Sequence, residues 1–278
     1  MPVTQELIDD AASVLGVTVT TPLKQGGQKT VLLADRAGEA LVLKVISLGS
    51  SLPDALRRAR REVELLASID HPHVVKVASD LAEVRDPPEG AAWLEEYLEG
   101  DDLSDLLGSR WGWPETKQMG LEVARGLGVL HNGKVVHRDL SANNVRRRTS
   151  GTFVVMDPGW ARHLDASRIT VGGQPGTLGY ISPEHLNSYS GAPTPASDVF
   201  CVGILMFVAL TAELPIPYTG DLSDYLRRLA DVETGDLAAM RPDLDADVVD
   251  LARRCLHPQP ARRYRNGAQL ATALEAAS

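Results

Sequence analysis

The chain has 278 residues, 44% of them apolar and 23% charged, with a formal net charge of −9. That length suits one large domain or two lobes sharing a cleft, and the composition excludes a disordered chain. The acidic balance argues against a nucleic-acid or membrane-surface binder, because both need a basic face.

Thr4 is placed to cap a short helix carrying Leu7, Ala11, Val14 and Leu15 on one face, with Gly16 closing it. From Val17 to Ile46, β-branched runs broken at Gly26-Gly27 and at Arg36-Ala37-Gly38 predict three antiparallel strands. Pro53 opens a helix with Leu56, Ala59, Val63 and Leu66 inward and arginines outward. Further strands are expected around Val74–Val77 and Ala92–Tyr97. Beyond Gly100 helices dominate, over 115–131, 195–212, 222–231, 245–256 and 267–277, with a hairpin over 145–156 turning on Ser150-Gly151. The apolar run Val199–Leu210 is shorter than the ~20 residues a membrane span needs and reads as a buried core helix. No basic-then-apolar leader precedes the acidic Glu6, Asp9 and Asp10, so a soluble, cytoplasmic protein without an appended domain is expected. Cys201 and Cys255 are too few and too far apart for a disulfide framework or a zinc site, and are expected to be buried and reduced. Lysine is scarce beside arginine, six against twenty-two, a bias that resembles a high-GC bacterial genome.

The strongest chemical signal is His137-Arg138-Asp139-Leu140-Ser141-Ala142-Asn143-Asn144. A carboxylate that orients a hydroxyl proton and, five residues on, an amide oxygen that holds a metal ion suit phosphoryl transfer. This octet resembles the catalytic loop of protein kinases. Asp157-Pro158-Gly159 stands where that family has its magnesium-binding Asp-Phe-Gly, and Gly176–Glu184 resembles the segment that closes the activation loop. Asp198-Val199-Phe200 with Gly203 resembles the start of the central buried helix, whose aspartate ties down the catalytic loop. Arg263 falls where the family places the buried partner of Glu184. Upstream, Leu41-Val42-Leu43-Lys44-Val45 resembles the strand whose lysine grips the α- and β-phosphates. Glu62 stands at the helix position that pairs with that lysine. Glu64 lies about 200° around the helix from it. Glu96-Tyr97-Leu98-Glu99-Gly100 resembles the hinge, where the Leu98 backbone meets adenine and Asp102 is placed to meet the ribose.

The resemblance to eukaryotic-type Ser/Thr kinases implies an α+β bilobal fold over 1–278. Its N-lobe spans about 1–96, its hinge about 96–100 and its C-lobe about 101–278, with ATP in the cleft. It also implies ATP and magnesium as cofactors and a protein substrate, while the acidic balance leads us to expect no nucleic-acid or membrane partner. Asp139, Lys44, Glu62, Asn144 and Asp157 would carry catalysis, Asn144 and Asp157 holding the metal. Gly26, Gly27, Val31, Val42, Lys44, Glu96, Leu98, Asp102 and Arg146 would line the nucleotide.

Several positions depart from the family. The glycine-rich loop keeps Gly26 but has Lys24 and Lys29 at the other motif glycines; Lys29 either substitutes charge for backbone contact or stays solvated. Ser141 replaces a lysine that steadies the transferred phosphate, and Pro158 replaces a phenylalanine. Arg146 stands beneath the adenine position and Glu95 at the gatekeeper position. The two charges either satisfy each other, or Arg146 stacks on the base or snorkels to solvent. Ser167, Thr170 and Thr177 are the activation-loop hydroxyls, with Thr170 and Ser167 the expected phosphosites. A nucleotide-gated pseudokinase and a small-molecule phosphotransferase are the alternatives.

Overall fold

The first helix begins where a capping side chain stands: Thr4 is extended and its hydroxyl oxygen accepts the Leu7 N–H at 3.3 Å, so α1 runs Gln5–Leu15. Gly16 ends it in the left-handed conformation at φ 63°, donating back to Ala12 and Ser13 carbonyls. The buried residues are Leu7, Ile8, Ala11 and Ala12, while Val14 is 57% exposed. Val14 is thus not on the inward face. At 100° per residue it lies about 90° from the centre of the arc that the buried four define.

The computed structural model describes residues 2–25, 29–48, 52–158, 178–186, 193–232 and 234–278. The chain forms two compact units, Met1–Glu99 and Gly100–Ser278. The first is built on β1 (Thr18–Gln25), β2 (Lys29–Arg36), β3 (Glu39–Ser47), α2 (Leu52–Ala67), β4 (Ala82–Val84) and β5 (Gly90–Glu96). Its sheet is antiparallel throughout, in the order β1-β2-β3-β5-β4. One face carries Leu32, Ala34, Leu41, Leu43, Val45, Ala92 and Leu94, which form a single core with the buried residues of α1. Arg85 ties α1 to the β4–β5 turn through Asp10 at 2.7 Å and Glu89 at 2.6 Å. Side chains alternate along each strand, so the register places Val31, Val42, Lys44, Trp93 and Glu95 together on the opposite face.

The strand expected at 74–77 is reduced to isolated bridge residues, Val74 and Val77, the latter paired with Glu95. Val74 and Val75 are adjacent and both 2% exposed, a pattern that a pleated strand with one covered face does not give. β4 was not foreseen, being only three residues of mixed character. On α2, Ala59, Val63 and Leu66 are buried as the periodicity requires.

The second unit contains β6 (Gly100–Asp102), α3 (Leu103–Leu106), α4 (Trp113–Asn132), β7 (Val145–Arg148), β8 (Phe153–Val155) and α5 (Pro183–Leu186). It continues with α6 (Pro195–Thr211), α7 (Leu222–Asp231), α8 (Leu237–Met240), α9 (Ala246–Cys255) and α10 (Gly267–Ala276). α6 is buried from Ala196 through Thr211, on every side. Only a helix apolar all round can sit so, and the rest of the unit packs about it. The five long helices start and end within two residues of the sequence expectation. Together the units make a mixed α+β architecture, with an antiparallel sheet toward the N-terminus and a mostly helical remainder. Among the described residues no helix is long and apolar enough to cross a membrane. Cys201 and Cys255 are free and buried, and burial pushes the Cys255 thiol up to about 12.

Candidate active site

In the second unit the site is organised by Asp198 on the first turn of α6. Thr194 and Ser197 form a reciprocal capping box that fixes this turn. The Asp198 side chain is wholly buried and spends both oxygens. Oδ2 accepts the His137 N–H at 2.7 Å and His131 Nε2 lies 2.9 Å away, while Oδ1 accepts the Arg138 N–H at 2.9 Å. His131 Nδ1 accepts the Gly267 N–H at 3.0 Å, so its proton sits on Nε2, facing Asp198. Burial opposes ionisation of Asp198, but His131, His137 and the Arg138 amide outweigh it and hold the carboxyl below its usual range.

Those bonds fix the backbone of the loop that leads to Asp139, including Arg138 at φ 66°. The His137 ring clamps it from the other side. Nδ1 accepts the Asp139 N–H at 3.3 Å, which directs the Nε2 proton to the Met156 carbonyl at 2.9 Å. Asn144 donates Nδ2 to the Asp139 carbonyl at 2.7 Å and lies 3.4 Å from Asp139 Oδ2. Its own carbonyl accepts the Met156 N–H at 2.9 Å. These contacts bring Asp139 and Asn144 together at the base of the β7–β8 hairpin, and Asp157 follows Met156 with its backbone in the left-handed region at φ 50°. Because the Asn144 amide nitrogen is committed to Asp139, its oxygen is the end left to face a cation. An amide oxygen and a carboxylate suit magnesium, which takes one or two protein oxygens and completes its shell with water and phosphate.

Nearby, Glu184 and Arg263 form the buried pair that the sequence implies. Nη1 meets Oε1 at 2.6 Å and Nη2 meets Oε2 at 3.0 Å, a bidentate fork. Burial raises the Glu184 carboxyl and Arg263 lowers it further, so the net direction is down.

Arg146 corrects the paired-charge expectation. It donates Nη1 to Asp102 Oδ1 at 2.7 Å and Nη2 to the Gly100 carbonyl at 2.6 Å, with its side chain 23% exposed. β6 and β7 pair Asp102 directly with Arg146, so the nearest carboxylate is a cross-strand neighbour. Asp102, the expected ribose ligand, is therefore engaged by Arg146. Gly100 permits this strand pairing: its φ is 143°, and a Cβ there would stand 2.0 Å from the Arg147 carbonyl oxygen.

In the first unit Lys44 is 3% exposed and its ammonium pairs with Glu95 Oε2. Glu95 Oε1 accepts the Trp93 indole N–H at 2.9 Å, so both oxygens of the gatekeeper carboxylate are used within its own sheet. Lys29 is half-buried rather than solvated, with Nζ 6.0 Å from the Trp93 ring centroid, as is Lys44 Nζ. Val31 and Val42 are half-buried on the same face. Leu98 is 3% exposed, and Glu96 holds the Lys76 backbone, its N–H donating at 2.9 Å and its Oε1 accepting at 2.9 Å. Glu62 lies in α2, its side chain outside the described residues, as are Gly26, Gly27, Ser167, Thr170 and Thr177.

A family model for the protein kinase domain matches residues 19–274. The chain belongs to the protein kinase family. The α+β architecture and the loop geometry agree with that membership, and the family is one that uses ATP. α1 precedes the matched segment. The chain is 29% identical over 256 residues to the serine/threonine-protein kinase PknA of Mycobacterium tuberculosis, covering 90% of this chain and 58% of that one. It is 31% identical over 263 residues to the serine/threonine-protein kinase drp72 of Corynebacterium efficiens, covering 90% and 48%. With PrkC of Bacillus subtilis it shares 26% over 261 residues, covering 90% and 39%. The chain thus spans about half the length of these relatives.

Two site features escape a motif-based reading of this chain. The Lys44–Glu95–Trp93 cluster needs the β3–β5 register, which no motif encodes. The Asp102–Arg146 contact was foreshadowed only by complementary charge, Asp101-Asp102 facing Arg146-Arg147-Arg148 across an unforeseen strand pair.

Proposed function

We propose that this chain transfers the γ-phosphoryl group of ATP to serine or threonine hydroxyls of a protein. The observation that carries the reading is the catalytic loop: Asp139 and Asn144 are joined through the Asn144 amide, and the loop is held by Asp198 and His137. A chain released from catalysis has no need of that convergence. The names of the relatives support the hydroxyl class.

Lys44 contacts the α- and β-phosphates, with Glu62 the α2 carboxylate that the resemblance assigns to it. The Leu98 backbone meets adenine, flanked by Val31 and Val42. Asn144 and Asp157 would hold magnesium, which offsets phosphate charge when bound. Asp139 accepts the proton of the incoming hydroxyl as its oxygen attacks the γ-phosphorus. The bond to the β-phosphate oxygen breaks, and ADP leaves with that electron pair. Arg146 holds Asp102 at the edge of β6.

Incubation with γ-labelled ATP, magnesium and a generic protein substrate tests this. Lys44→Met, Asp139→Asn and Asp157→Asn should each cut incorporation by about 10²–10³-fold or more, since each removes a separate part of the charge constellation. Near-wild-type incorporation in the three variants would refute the reading.

A further inference from the structure

A lysine that grips phosphate must be aimed, and its own sheet supplies the means. Lys44 on β3 is opposite Trp93 on β5, and Val42 is opposite Glu95. Residues two apart on a strand share a face, so Lys44 and Glu95 are diagonal neighbours within reach of long side chains. The pair is formed, with the two side chains 4% and 3% exposed. Burial at that level makes an unpartnered charge costly on either side, so the pair persists as a unit.

Glu95 is fixed in turn. Its second oxygen takes the indole N–H of Trp93, itself 2% exposed. With both oxygens committed, the carboxylate has one orientation, and the ammonium it holds has one position. The strands that carry the pair are joined in register from Leu41 with Glu96 to Ser47 with Gly90.

We propose that Glu95, buttressed by Trp93, is a positioning residue for Lys44. It aims the ammonium from the neighbouring strand. A partner on a helix acts only while that helix is docked, whereas a partner on β5 acts whenever the sheet is folded. The proposal rests on the reading of Lys44 as a phosphate ligand.

The test uses Glu95→Gln, with kcat and KM for ATP and separate titrations with ATP and with adenosine. Glu95→Gln keeps an oxygen for the indole and removes the charge that faces Lys44. It should weaken ATP binding by tenfold or more while adenosine affinity stays within about twofold, because a displaced Lys44 affects only the phosphates. Its kcat/KM should fall by about tenfold, ~1.4 kcal/mol. Equal weakening of ATP and adenosine, or unchanged ATP affinity, would each overturn the proposal. Should Glu95→Gln fail to fold by circular dichroism, Trp93→Phe carries the test, since it removes the N–H that orients Glu95 and keeps an aromatic ring there. It should weaken ATP over adenosine by about fivefold, one buried hydrogen bond's worth; wild-type ATP affinity would overturn the proposal. Lys44→Met separates the two levels: full phosphoryl transfer in that variant would refute the phosphate-ligand reading itself, whatever Glu95→Gln does.

Discussion

Replacing Arg263 should be among the most damaging single changes in the second unit. The residue is 1% exposed and uses all five of its N–H donors. Nε donates to the His257 carbonyl at 2.6 Å, Nη1 to Glu184 at 2.6 Å and the Ala196 carbonyl at 3.1 Å, and Nη2 to Glu184 at 3.0 Å and the Pro258 carbonyl at 3.0 Å. The guanidinium also lies 4.6 Å from the Phe200 ring centroid. Arg263→Met leaves Glu184 a largely buried carboxylate without its cation, at a cost of up to about 3–5 kcal/mol. Arg263→Lys retains the charge but offers three donors without a planar fork, so two of the five acceptor contacts are lost, at about 1–3 kcal/mol each. Arg263→Met combined with Glu184→Gln should recover part of the single loss, because the amide is cheaper to strand than the charge. Urea unfolding followed by circular dichroism measures all three. A cost below about 1 kcal/mol for Arg263→Met, or no recovery in the double variant, would refute the argument that the pair is one buried unit.

Acid should act through the same region. Asp198 and Glu184 are both held below the usual carboxylate range, so their stabilisation is complete above the unfolded value of about 4 and is lost as pH falls through the lower folded values. Urea midpoints should therefore be flat from neutral pH to about 5 and fall steeply below about 4; a midpoint that rises on acidification would contradict this. Arg146→Leu should cost only about 0.5–1 kcal/mol, since its pair with Asp102 is partly exposed, and a double-mutant cycle should couple it to Asp102 but not to Glu95. Cys201 and Cys255, both buried with raised thiol pKa values, should resist a thiol reagent in the native protein and react fully in urea. Rapid native labelling would show that the helices around them open readily.

Much of this molecule is written in local pattern. α6 is legible because a run apolar on every side can only be buried, and α1 because Thr4 and Gly16 punctuate it at both ends. Asp139, Asn144, Asp198 and the Glu184–Arg263 pair are legible because their chemistry demands fixed residue types at fixed spacing. What stayed hidden depends on which strand lies beside which. Family positions around a nucleotide set Glu95 against Arg146. The β3–β5 register hands Glu95 to Lys44, and the β6–β7 register hands Arg146 to Asp102. Short elements such as β4 and β6 left no trace, since three residues cannot establish a period.

Phosphoamino-acid analysis tests the central claim most directly. The chain, incubated with labelled ATP, magnesium and a protein acceptor, should yield phosphoserine or phosphothreonine, and Asp139→Asn should yield neither above background while still binding ATP. Binding of ATP by the wild-type chain with no label transferred to any protein hydroxyl would contradict the account and leave a nucleotide-binding scaffold in its place.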